Sequence, residues 1–150
     1  MPSCCGKTRL LNTLRHQPAK GIPWVPFAGV HAGKLKGFTA KDVLTDGNKL
    51  LASLLEVNRL YNPDGQPVLF DLQVEAEILG CDLVWAEDAP PSVASHPLSG
   101  SQEIPSYLPE PDDGRLPMIL NVMREMKDSV GEQTVLYGLI TGPFTLASHL

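Results

Sequence analysis

Two hydrophobic rhythms alternate along this chain. Short apolar runs at Trp24 to Ala28, Val68 to Phe70, Cys81 to Trp85 and Leu136 to Ile140 predict buried strands. The last is nearly unbroken, as expected where both faces of a parallel sheet are covered. Between the runs, apolar residues recur at helical spacing. Leu10, Leu11 and Leu14 stripe a short helix before Pro18, so residues 1–22 are expected to form a leading helix and linker. Thr39 with Asp42 predicts a capped short turn, and Asp46 caps a longer helix bearing Leu50, Leu54, Val57 and Tyr61. Asn62, Pro63, Asp64 and Gly65 stop that helix. Val74, Ile78 and Leu79 mark another, ended by Gly80, and Pro117 opens one carrying Ile119, Val122, Met123 and Met126.

Strand and helix thus alternate four times. Repeated βαβ units predict an α/β protein with a parallel sheet and right-handed crossovers, either an open doubly wound sheet or a (β/α)8 barrel. Gly142, Pro143 and Phe144 turn into a final helix that includes Leu150, so the sequence is expected to be the front part of a larger α/β protein. Residues 89–117 contain Pro90, Pro91, Pro97, Pro105, Pro109, Pro111 and Pro117, half of the chain's 14 prolines. That density predicts a long, irregular excursion.

Composition narrows the function only a little. A chain of 150 residues with 43% hydrophobic and 19% charged content is that of a soluble globular domain. A net charge of −5, without Lys/Arg clusters, argues against a nucleic-acid partner. No apolar run is long enough to span a bilayer and the N-terminus lacks a signal peptide's apolar core, so a cytoplasmic protein without membrane attachment is expected. Cys4, Cys5 and Cys81 lack the spacing of a disulfide framework or a zinc site, so they are expected to be reduced thiols.

Ligands of both candidate architectures bind at the carboxyl ends of the strands. That rule selects Gly29 to Gly33, Asp71 with Gln73, Glu87 with Asp88, and Gly142 to Thr145. Asp71 directly follows an apolar strand, so its carboxylate either faces the mouth of the sheet or caps the next helix. His31 either reaches a ligand or bonds to the scaffold, and Gly29 and Gly33 either admit a ligand or satisfy a turn. Glu75 and Glu77 diverge on one helix, which leaves at least one of them solvated. Glu87 and Asp88 are either an acid/base pair or a solvated loop entry. Gly6, Lys7 and Thr8 mimic the end of a phosphate-binding loop, but no strand precedes them and the motif's first glycine would fall at Met1.

Phe70, Asp71, the stretch Val74 to Cys81, then Pro91, Ser92, Val93, His96, Pro97 and Leu98 resemble the uroporphyrinogen decarboxylase superfamily, especially its corrinoid-dependent methyltransferase branch. Gly142 to Ser148 is similar to a second signature of that superfamily. The resemblance implies that residues 1–150 are the N-terminal portion of a (β/α)8 barrel. It also implies that Asp71 matches the aspartate that holds pyrrole NH groups in the decarboxylases. The arginines that bind porphyrinogen carboxylates there correspond to Val30 and Lys34, and a tyrosine of the last helix corresponds to His149. Valine offers no carboxylate clamp and lysine only a point charge. The resemblance therefore favours methyl transfer between a methylcobalamin-type corrinoid and a zinc-activated thiol over porphyrinogen decarboxylation. Asp71 is the expected catalytic residue. Gly29, His31, Gly33, Phe70, Gly142, Pro143, Phe144, Thr145 and His149 are expected to line the mouth around corrinoid or substrate. The relatives' zinc ligands lie in the barrel's second half, so no metal ligand is assigned in this sequence. Expected partners are a small-molecule substrate or a corrinoid protein, with exposed sheet edges favouring a homo-oligomer.

Overall fold

The computed structural model describes residues 5–100 and 106–150; Met1, Cys4 and Pro105 fall outside the described residues. Helix α1 (Gly6–Leu14) opens the chain with Leu10 buried. It lies at the N-terminal ends of two parallel strands, β1 (Gly65–Pro67) and β4 (Val135–Tyr137). Lys7 N donates to Gln133 O at 2.8 Å, and a Cβ on Gly65 would stand 2.6 Å from Leu10 Cδ2. Gly65 is thus a close-approach residue, and β1 forms on Gly-Gln-Pro because tertiary contact overrides weak strand propensity. The ladder pairs Gly65 with Val135 and Pro67 with Tyr137, and Val68 N extends it by donating to Tyr137 O at 3.0 Å. The strand therefore begins ahead of the expected Val68 to Phe70 run, which continues it as buried chain.

The first expected strand, Trp24 to Ala28, is extended but joins no ladder among the described residues. Asp64 holds it instead. Asp64 N donates to Trp24 O, and Trp24 N donates to Asp64 Oδ2, both at 2.9 Å. Arg9 Nη1 approaches the same carboxylate at 2.9 and 3.1 Å, tying α1 to this corner.

The chain then passes through α2 (His31–Lys34) and α3 (Ala40–Thr45), which pack on each other and on the returning α4 (Gly47–Tyr61). Thr39 and Asp42 form a reciprocal capping box on α3, and Asp46 accepts from Asn48 N and Lys49 N to cap α4. Asn62, left-handed at φ 44°, ends α4 where the stop signal predicted. Leu50, Leu54 and Val57 on α4 pack with Ile119, Val122 and Met126 of α6 (Leu116–Val130), over Val68, Leu69 and Phe70. Gln66, 1% exposed, is satisfied inside this core: Nε2 donates to Leu54 O at 2.9 Å and Oε1 accepts from Asn58. Asn58 also donates to Thr134 Oγ1, so one polar network joins α4 to both strands.

Two expectations fail in the crossover between β1 and β4. After α5 (Val74–Ile78), the Cys81 to Trp85 run is no third parallel strand. Only Leu83–Val84 (β2) is extended, and it pairs antiparallel with Ser92–Val93 (β3) in a separate two-stranded sheet. Its residues are half-buried or exposed, and a short apolar run does not reveal whether it lies in the main sheet or in a satellite hairpin. Nor is residues 89–117 wholly irregular, since it contains β3 and the first turn of α6. The last helix, α7 (Pro143–His149), follows β4 as expected, with Pro143 in its first turn.

Candidate functional site

The residues beyond the strands' carboxyl ends converge on one guanidinium. Asp71 leaves β1 with its side chain fully buried, Oδ1 accepting from Gln73 N at 2.8 Å in a turn just ahead of α5. Oδ2 faces Arg115 Nη2 at 2.6 Å. That approach is off the hydrogen-bonding axis, so the two atoms pair in charge while each keeps unused hydrogen-bonding capacity. Arg115, at the N-cap of α6, also donates from Nε to Glu77 at 2.7 Å and from Nη1 to Leu44 O at 3.1 Å. Its planar head lies over Trp85, 5.0 Å from the ring centroid. One side chain thus gathers the connection after the first extended segment, the exit of β1 and the exit of β2.

A second tie joins β1 to β4. Thr141 donates from its hydroxyl to Leu72 O and from its backbone N to Glu75 Oε1 at 3.3 Å. Glu75 and Glu77 diverge as expected. Neither is left to solvent alone, because Glu75 meets Thr141 and Glu77 meets Arg115. The Thr141 tie sets the turn Gly142 to Thr145 beside the Asp71 turn, and it leaves Leu72, Ile140 and Phe144 exposed at 46%, 80% and 90%.

The other expected residues do not join this cluster. Gly29 adopts φ +60°, which its lack of a side chain permits. Gly33 is buried, and a Cβ there would meet Val43 Cγ1 at 2.9 Å, so packing requires a glycine. His31 is exposed in α2 rather than at a strand exit; its Nε2 is 3.0 Å from the Tyr61 hydroxyl and its ring is stacked on Tyr61. Phe70 belongs to the core, edge-on to Phe27. Pro143 and Thr145 are exposed on α7. His149 accepts at its carbonyl from His96 Nδ1 at 2.8 Å and Cys81 Sγ at 3.3 Å. Burial, with Asp82 adding to it, pushes the Cys81 thiol up, which suits an inert core thiol. Glu87 and Asp88 are exposed. Among the described residues, no cluster of three His, Cys, Asp or Glu side chains is arranged to hold a metal ion, and no helix is long and apolar enough to cross a membrane.

A polar cavity of about 450 Å³ lies at the opposite end, lined by Cys5, Arg9, Asn62, Asp64 and Gln133. Arg9 and Asp64 are already spent on each other, and functional groups of this architecture collect at the carboxyl ends of the strands. The mouth is therefore the candidate site. Arg115, Trp85 and Thr141 were missed from sequence. The only local trace of Arg115 was its place just before the helix-opening Leu116-Pro117 pair.

A parallel β/α unit with helices outside and converging side chains at the strand ends is part of a (β/α)8 barrel. The chain belongs to the uroporphyrinogen decarboxylase (URO-D) family, whose profile matches residues 6–150. A methylcobamide:CoM methyltransferase of Methanosarcina acetivorans is 28% identical over 150 residues, covering 96% of this chain and 44% of that protein. The uroporphyrinogen decarboxylase of Nostoc punctiforme is also 28% identical, but over 91 residues, 61% of this chain and 26% of its own length. A solved methyltransferase from Methanosarcina mazei superposes with a TM-score of 0.83 at 26% identity, covering 99% of this chain and 45% of that one. The chain spans less than half the length of these relatives.

Proposed function

We propose that the intact protein is a methyltransferase that moves a methyl group between a methylated corrinoid and a thiol. The observation that carries this reading is Val30. The position where the resemblance expects a carboxylate-binding arginine instead packs an aliphatic side chain against the core, and Lys34 beside it is exposed. A porphyrinogen's many carboxylates would find no bidentate clamp on this segment. The likeness to methyltransferases over nearly the whole chain, against three-fifths for the decarboxylase, supports the same reading.

The mouth residues suit a broad macrocycle. Exposed Leu72, Ile140 and Phe144 offer apolar surface on two turns held together by Thr141, and the Asp71 carboxylate is buried against Arg115. When bound, a methylated corrinoid supplies a methyl group that passes to sulfur while the cobalt–carbon electron pair stays behind, the thiol having already given up its proton. This chain's part is to seat the macrocycle and keep water from its edge. The described residues do not fit a zinc ion, and no step is assigned to one on this segment. The test is anaerobic demethylation of methylcobalamin by the intact protein with zinc and candidate thiols, followed by visible absorbance. Demethylation that depends on the protein supports the proposal; carbon dioxide release from uroporphyrinogen without methyl transfer overturns it.

A further inference from the structure

The segment from Asp71 to Ile78 is gripped alternately by two side chains. Arg115 takes residues 71 and 77: its guanidinium pairs with the Asp71 carboxylate at 2.6 Å and donates from Nε to Glu77 Oε2 at 2.7 Å. Thr141 takes residues 72 and 75: its hydroxyl donates to Leu72 O, and its backbone N donates to Glu75 Oε1 at 3.3 Å. Because residues two apart on a helix diverge, Glu75 and Glu77 give α5 one carboxylate for each side. The helix has five residues, buries only Val74 and Ala76 and has no side-chain N-cap bond, so propensity and packing fix its place weakly. Arg115 is by contrast anchored to the surrounding frame, standing at the N-cap of α6, bonded to Leu44 O at 3.1 Å and packed on Trp85.

We propose that Arg115 is a positioning residue for the mouth: acting through the Asp71–Ile78 segment, it sets the Thr141 tie and with it the turn that presents Phe144. Without the guanidinium, the fully buried Asp71 carboxylate keeps only its Gln73 N bond, and a buried charge without a partner is relieved by moving its chain toward water. That chain carries every acceptor that Thr141 uses. Shifting it releases Thr141, the residue just before the turn Gly142 to Thr145. The positioning operates with no ligand bound. It deepens the methyltransferase reading, and rests on it, only in taking that turn as a wall of the methyl-transfer site.

The experiment is amide hydrogen exchange of the intact, ligand-free protein. Arg115→Met should speed exchange at the Thr141 and Leu146 amides at least about tenfold, while the Val68 and Val135 amides, bonded to Tyr137 O and Asp64 O, keep their wild-type rates. A general loss of stability would accelerate both groups together, so the contrast separates positioning from stability. Arg115→Lys, which keeps the charge but cannot reach all the partners at once, should restore part of the protection. Glu77→Gln removes one half-exposed handle and should give a smaller change of the same sign; it decides the matter if the methionine variant fails to fold by circular dichroism. In a Thr141→Val background, Arg115→Met should change exchange at Leu146 less than about threefold, because the main link is already cut. Unchanged Thr141 exchange in a folded Arg115 or Glu77 variant, equal acceleration at Val68 and Val135, or a full effect in the Thr141→Val background overturns the proposal. Wild-type protein that demethylates no methylcobalamin overturns the methyltransferase reading instead, and the exchange comparison still reports on Arg115.

Discussion

Replacing Asp64 with alanine should loosen a corner that no β-ladder secures. The carboxylate is nearly buried, its side chain 7% exposed, while Arg9 is 30% exposed. It takes a charge-assisted bond from Arg9 Nη1, bifurcated over both oxygens, and another from Trp24 N. Hydrogen bonds to charged groups contribute about 1.5–3 kcal/mol each, so the gross loss is about 3–6 kcal/mol. Arg9 regains water on its exposed side and Trp24 N lies on a half-exposed residue, which brings the net cost to about 3 kcal/mol. For a domain of this size that lowers Tm by about 6–12 °C. Asp64→Asn keeps an acceptor for Trp24 N and gives up only the charge, so it should cost about half as much. Urea denaturation with thermal melts reads both values, and hydrogen exchange at the Trp24 amide should speed up in the alanine variant alone. An alanine cost below about 1 kcal/mol, or equal costs for alanine and asparagine, would show that Asp64 does not anchor the segment.

Three further outcomes are expected. Gly33→Ala forces a Cβ to within 2.9 Å of Val43 and 3.1 Å of the Phe38 carbonyl, and should destabilise by about 1–3 kcal/mol in denaturant titration, whatever its effect on activity. The Asp42 carboxyl is pulled down to about 2 by its hydrogen bond from Lys49, with Thr39 helping. A depressed folded value means that the contribution is complete above about pH 4 and is lost as pH falls through about 2, so the Tm difference between wild type and Asp42→Asn should close over that window; a difference undiminished at about pH 2 refutes the pairing. The hydrogen bond from Thr8 lowers the Cys5 thiol while burial raises that of Cys81, so in a Cys4→Ser background iodoacetamide should label Cys5 at least about tenfold faster by peptide mass spectrometry.

Helices were legible where local chemistry closes on itself. Asp46 caps α4, Asn62 ends it, and Leu50, Leu54 and Val57 point one way because 3.6-residue periodicity leaves them no other face. Strands were legible only as apolar runs, and two runs misled. Trp24 to Ala28 is extended without a ladder, and Cys81 to Trp85 belongs to a side hairpin, because pairing partners lie far along the chain and leave no local mark. β1 hid in Gly-Gln-Pro for the opposite reason: α1 presses so close that glycine is required where propensity argues against a strand. The position of Asp71 at a strand exit could be read from its neighbours, but Arg115 could not, since an ion pair across the fold imposes no spacing on either partner. Thr141 went unnoticed because its hydroxyl serves the backbone of a distant turn.

The placement of α1 bears on traffic. With Leu10 against Gly65 and Lys7 bonded ahead of β4, α1 covers the strand starts directly, and the polar cavity at Arg9, Asp64 and Gln133 lies beside that contact. The ligand proposed for the mouth would therefore be approached on this segment over Phe144 and Leu72, on the side of the strands away from α1.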